Sequence, residues 1–302
     1  MTAAVATNSL TKFYGKIPGI VGLNLEVQVG EVFGFLGPNG AGKSTTIRLL
    51  LSLIYPSSGS AQIFGLDSRR DSLEIRRRVG YLQGDLAMYE TMTGRQLISY
   101  FSALRGTDTS RRVEELSGRL ELDLDRQISS YSTGNRQKVG IIQAMAHQPE
   151  LLILDEPTAG LDPLMQQEFY GIMEEAQAAG ATVFLSSHIL PEVERVATRV
   201  GIVRASRLVA LDTVEDLKAK ALRRVEILFE SPVDVDEFRT LPGIRRAAPT
   251  DAGLGVSLSV TGSLEAVMAV AGRHTIINVS SQDGDLEEAF LAYYTGEAGD
   301  AS

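Results

Sequence analysis

The chain contains no cysteine and no tryptophan. Without thiols there is no disulfide framework, thiolate nucleophile or cysteine-ligated metal, and a reducing compartment is compatible with that composition. Basic residues are in the minority, 29 Lys and Arg against 38 Asp and Glu, for a formal net charge of −9. That balance argues against a general nucleic-acid binder, and the arginines at 69, 70, 76, 77 and 78 read as a solvated face of a connecting segment. No apolar run approaches the ~20 residues that a membrane helix needs, and residues 1–10 lack the charged-then-apolar pattern of a secretory signal. A soluble chain is expected, so any action at a membrane needs another polypeptide for the spans. With 44% hydrophobic residues, 22% charged and no low-complexity tract, the 302 residues are read as one large globular domain plus a small one.

What the sequence does contain is a phosphate loop. Gly37-Pro38-Asn39-Gly40-Ala41-Gly42-Lys43-Ser44-Thr45 fits G-x-x-x-x-G-K-[ST], with the buried-strand run 32–36 before it and a helical pattern over 46–51 after it. Glycines there permit positive φ and close backbone approach, and the N–H groups of the loop and first helical turn face an anion. Lys43 would reach the β- and γ-phosphates, and the Ser44 hydroxyl would take one position on Mg²⁺.

Four further stretches carry chemistry. Leu151–Leu154 is a continuous apolar run, as expected of a central parallel strand, and it ends in the adjacent carboxylates Asp155 and Glu156. Successive strand side chains point to opposite sides, so one acid can serve Mg²⁺ and the other the attacking water. A second buried strand, Thr182–Ser186, delivers Ser187-His188 to the edge where open α/β sheets bind ligands, although a lone histidine is more often a satisfied surface or core residue. Residues 84–146 read as a helical insertion. Its last helix opens with Ser132 as N-cap and with Gly134, which leaves the helix N-terminus bare. Near the amino end, Phe13-Tyr14-Gly15 places aromatics at a turn, either in a hairpin core or stacked on a nucleobase.

Taken in order, these motifs resemble the ATP-binding subunit of ABC transporters over roughly residues 5–220. Residues 37–45 resemble Walker A, and Tyr131-Ser132-Thr133-Gly134-Asn135 the LSGGQ signature. Leu151–Glu156 is similar to Walker B with its catalytic glutamate, Ala159–Asp162 to the D-loop, and His188 to the switch histidine. The resemblance implies an α/β P-loop NTPase cassette, a mixed sheet core with an antiparallel edge and a helical subdomain. It implies Glu156, His188 and Lys43 as catalytic, and Tyr14, Gly37, Asn39, Gly40, Gly42, Lys43, Ser44, Thr45, Gln83, Ser132, Gly134 and Asp162 as ATP-binding. Ser44, Asp155 and Gln83 are implied at Mg²⁺. The family usually reads G-Y-x-x-Q at the Q-loop; here Gly84 occupies the glutamine position and Gln83 stands one residue early, with Asp85 the alternative.

Beyond about residue 222 the pattern becomes β-α-β-β-α-β plus a helix over 285–294, a small ferredoxin-like α+β domain. That tail resembles ATPase subunits of ABC-2 type exporters, including bacterial drug-resistance pumps. The resemblance implies export of a drug-, antibiotic- or lipid-like substrate, integral-membrane permease subunits as partners, a homodimer or heterodimer of ATPases, and a peripheral place on the inner face of the cell membrane. Two other readings stand beside it: an ABC ATPase acting on a ribosome or DNA-repair complex, and a nucleotide-dependent regulatory dimer.

Overall fold

The computed structural model describes residues 3–220 and 223–282. The helix expected over 285–294 lies outside them.

Two long antiparallel strands open the chain, β1 (Ala3–Tyr14) and β2 (Ile17–Gln28), joined at Gly15, whose φ of +63° suits the tight turn. The buried strand β3 (Val32–Leu36) then leads to helix α1 (Lys43–Leu50), which begins inside the phosphate loop. Strands β4 (Ser58–Ile63) and β5 (Leu66–Asp67), helix α2 (Ser72–Arg78) and strand β6 (Val79–Leu82) follow. Three helices fill the insertion: α3 (Gly94–Arg105), α4 (Ser110–Arg119) and α5 (Thr133–Met145). The chain returns through β7 (Leu151–Asp155), α6 (Pro163–Ala178), β8 (Thr182–Ser187), α7 (Leu190–Val196), β9 (Arg199–Arg204) and β10 (Arg207–Thr213).

The sheet that positions the site has the order β10-β9-β3-β8-β7-β6, with the pairs β9–β3, β3–β8, β8–β7 and β7–β6 parallel. Every residue of β3, β7 and β8 is buried because both faces are covered, which is why these strands read as unbroken apolar runs. On one face Phe33, Phe35 and Phe184 meet with ring centroids 5.3–6.5 Å apart, packed with residues of β1, β2 and α1. The other face packs on α5, α6 and the helical insertion. The antiparallel strands hydrogen-bond into a separate sheet, β2-β1-β4-β5, facing the parallel one across that aromatic core.

Contacts divide the chain into two compact units, the first ending at Leu211 and the second beginning at Asp212. The second holds helix α8 (Val214–Lys220), strand β11 (Arg223–Phe229), helix α9 (Asp236–Arg239), strands β12 (Ile244–Thr250) and β13 (Gly255–Val260), helix α10 (Glu265–Ala271) and strand β14 (Ile276–Gln282). Its sheet runs β12-β13-β11-β14 with every neighbour antiparallel. Val225, Ile227 and Phe229 alternate inward against Phe238 and Val267, while Arg224 and Glu226 face out.

Candidate active site

The phosphate loop is shaped by close approaches that only glycine allows. Gly42 caps α1 at φ +110°, and a Cβ there would lie 2.2 Å from the Gly19 carbonyl oxygen; at Gly37 it would lie 2.4 Å from the Val203 carbonyl oxygen. The loop is thereby pressed between β2 and the end of β9. Gly37 N–H donates to Ser187 O at 3.3 Å, which ties it to β8 as well.

A hollow of about 270 Å³ lies over the loop, lined by Tyr14, Pro18, Gly19, Asn39, Gly40, Gly42, Lys43, Ser44, Thr45 and Glu156. Of the residues expected at the nucleotide, Tyr14, Asn39, Gly40, Gly42, Lys43, Ser44 and Thr45 line it together. Gly19 and Pro18 were not expected. Gly19 matters sterically, because a Cβ would lie 2.9 Å from both the Tyr14 ring and the Thr45 methyl, so its absence lets that ring lie beside α1. Its only trace in the sequence is a glycine five residues after an aromatic.

Lys43 is buried, and its ammonium donates to Gly37 O at 2.7 Å and Pro38 O at 3.3 Å, with Glu156 Oε1 3.4 Å away. The other oxygen of the same carboxylate, Oε2, is 2.6 Å from His188 Nδ1. Lysine and histidine thus bracket Glu156. Strand alternation alone does not bring it there: β7 ends at Asp155, and Glu156 adopts φ +51°, a left-handed conformation that a side chain with a Cβ rarely takes. Three bonds hold that turn. Glu156 N–H donates to Ser186 O at 3.0 Å, and the buried Gln137 amide of α5 donates to Glu156 O at 3.2 Å and Pro157 O at 2.8 Å. Gln137 was not expected at the site; only its place in the signature helix could have pointed to it.

Asp155 is buried, and its Oδ1 accepts from the Ser186 hydroxyl. A Cβ on Gly84 would lie 3.4 Å from Asp155 Oδ2, so the backbone at Gly84 runs beside that carboxylate. Burial and the neighbouring Asp155 charge push the Tyr81 hydroxyl up to about 12. The hydroxyl of Ser44 and the carboxylate of Asp155 are hard oxygen donors, the kind that Mg²⁺ takes beside phosphate and water, and they fit it.

Gln83 is not among the residues of the hollow. It lines another, of about 160 Å³, with Tyr81, Leu86, Met88, Tyr89, Phe101 and Gln143. Asp85 borders a third with Tyr131, Thr133, Arg136 and Gln137. Ser132 caps α5, its Oγ accepting from Asn135 N–H at 3.2 Å, and neither it nor Gly134 lines the Lys43 hollow. Gly134 is occupied within its own chain, since a Cβ there would lie 2.6 Å from Gly160 O. Asp162 caps α6, its Oδ1 accepting from Leu164 N–H at 3.1 Å and Met165 N–H at 3.0 Å. A larger hollow, about 450 Å³, opens where β7 and β8 begin and contains none of the expected residues.

The family model described as ABC transporter matches residues 20–159. The bacitracin transport ATP-binding protein BcrA of Bacillus licheniformis is 35% identical over 251 residues, covering 79% of this chain and 82% of the relative. The chain belongs to the ABC transporter family. The daunorubicin resistance ATP-binding protein DrrA3 of Streptomyces coeruleorubidus is 32% identical over 306 residues, 97% of this chain and 96% of that protein. A solved ATP-binding subunit of an ABC transporter superposes with a TM-score of 0.68 at 30% identity, over 71% of this chain and 92% of its own. The dimeric cassette MJ0796 with ADP and phosphate, at 21% identity, TM-score 0.65 and coverage of 69% of this chain and 98% of its own, shares the fold. As an ATP-binding subunit of that family, the protein is an ATPase.

Proposed function

We propose that the chain drives export of a drug-, antibiotic- or lipid-like substrate through a separate permease, as one of two ATPase subunits on the cytoplasmic face of the membrane. The observation that carries it is the convergence of Lys43 and His188 on Glu156 at the edge of the phosphate-loop hollow. Relatives named for bacitracin transport and daunorubicin resistance support the substrate class.

In this reading Glu156 orients a water on the γ-phosphorus and takes its proton as the phosphorus–oxygen bond to ADP breaks. Lys43 and His188 offset the charge that develops. Ser44 and Asp155 would hold Mg²⁺, which would supply positive charge against the phosphates. Ser132 and Gly134 lie away from this hollow in their own chain, so a second ATPase subunit completes the site, and an isologous pair does so twice. Exposed Tyr89 and Tyr100, edge to face at 6.4 Å beside the Gln83 hollow, suit the membrane partner.

The test is to tag the chain in its native cell, extract it in mild detergent and identify what co-purifies by mass spectrometry. A polytopic membrane protein in near-equal amount is the expected result. Ribosomal or DNA-repair proteins alone would overturn the export reading and leave the ATPase standing.

A further inference from the structure

Behind the His188–Glu156 pair lies a buried carboxylate that the reaction as described does not use. Glu192 of α7 is 5% exposed, and three hydroxyls converge on it. Its Oε1 accepts from Thr158 Oγ1 at 2.6 Å and from the Tyr170 hydroxyl at 3.3 Å, and its Oε2 accepts from Ser187 Oγ. Burying a carboxylate is costly, and charge-assisted bonds from several donors are what offset the cost. The Tyr170 hydroxyl is pushed well up by burial first and by the Glu192 charge second.

Two of the three donors come from the segments that carry the two reacting side chains. Thr158 stands two residues after Glu156. Ser187 immediately precedes His188, and its Oγ, besides donating to Glu192, accepts from Ile189 N–H at 3.0 Å. One hydroxyl thus ties the residues on both sides of His188 to the carboxylate. The Ser187 carbonyl in turn accepts from Gly37 N–H at 3.3 Å, so the same short segment also touches the phosphate loop. Tyr170 anchors the assembly to α6, with the Arg195 guanidinium over its ring at 4.6 Å.

We propose that Glu192 is a positioning residue for turnover: by holding Ser187 and Thr158 from behind, it keeps His188 within hydrogen-bond distance of Glu156. It does not line the phosphate-loop hollow. The inference rests on the roles proposed for Glu156 and His188, and it goes beyond them by assigning what fixes their mutual geometry.

A double-mutant cycle on the purified full chain tests it, with Glu192→Gln, His188→Ala and the two combined, read by single-turnover release of labelled phosphate and by ATP affinity. Glu192→Gln should lower the rate about tenfold, the equivalent of about 1.4 kcal/mol, and change ATP affinity less than about twofold. Combined with His188→Ala it should slow release no further. A merely structural carboxylate would slow both backgrounds by the same factor, and that result would overturn the proposal. So would a normal rate in Glu192→Gln beside a slow His188→Ala, or a loss confined to ATP affinity. A normal rate in His188→Ala would instead remove His188 from the reaction, a failure of the underlying reading that the single variant exposes by itself. If Glu192→Gln does not fold, Ser187→Ala removes one of the three donors, keeps the carboxylate and runs in the same cycle.

Discussion

Glu156 shows how much one backbone angle decides. At φ +51° its carboxylate meets Lys43 and His188, whereas continued strand geometry would carry it past them. Replacing the acid by its amide keeps the shape and removes the base, so Glu156→Gln should bind ATP normally, turn over at least ~10²-fold more slowly and accumulate as an ATP-bound dimer. Steady-state hydrolysis and sedimentation with ATP check it; near-normal turnover would remove Glu156 from the role of base. A second residue-scale prediction concerns His147, whose ring is driven down to about 4, mainly by burial and then by the Arg105 charge, while its Nε2 sits 3.3 Å from Val79 O. The unfolded imidazole takes its proton near 6.5, so between about pH 6.5 and 4 the unfolded state binds more protons and stability falls with pH. The urea midpoint should therefore drop less between pH 7 and 5 in His147→Gln than in the parent chain.

Helix α5 is the element that joins the two halves of the chemistry. Its first residue follows the Ser132 cap, its second, Gly134, packs on Gly160 O, and its fifth, Gln137, holds the Glu156 turn. The amino end of the helix and the Glu156 turn are therefore joined by direct contacts. Ser132→Ala should cost about 1 kcal/mol of stability through the lost cap and should weaken ATP-dependent association, read by chemical denaturation and by sedimentation. Gly134→Ala should do something different. Its Cβ, 2.6 Å from Gly160 O, must push the turn after β7 away, so turnover should fall while ATP affinity of the single chain stays within about twofold. Equal losses of affinity and turnover would show that Gly134 acts on the bound nucleotide's own half-site instead.

At the scale of the molecule, each unit has its own core: the aromatic and aliphatic layers around β3, β7 and β8 in one, Val225, Ile227, Phe229 and Phe238 in the other. No helix among the described residues is long and apolar enough to cross a membrane. Because the cores are separate, a chain ending at Lys220 should still fold and bind ATP. If the second unit stabilises the pair of ATPases, that truncation weakens ATP-dependent dimerisation; an unchanged dimerisation constant would assign the second unit another task.

The sequence by itself determined the phosphate loop, the buried strands and their ends, and the cap at Ser132, because those signals are local: glycine spacing, apolar runs and cap chemistry act over a few residues. Tertiary structure alone decided the rest. Gly19 beside Gly42, Gln137 under Glu156, Thr158 and Tyr170 on Glu192 and the backbone of Gly84 along Asp155 are contacts between segments far apart in the chain, and no periodicity encodes them. Gln83 makes the same point. The motif places it one residue from the family position, and just past the end of β6 it lines the hollow with Phe101 and Gln143 rather than the one with Lys43.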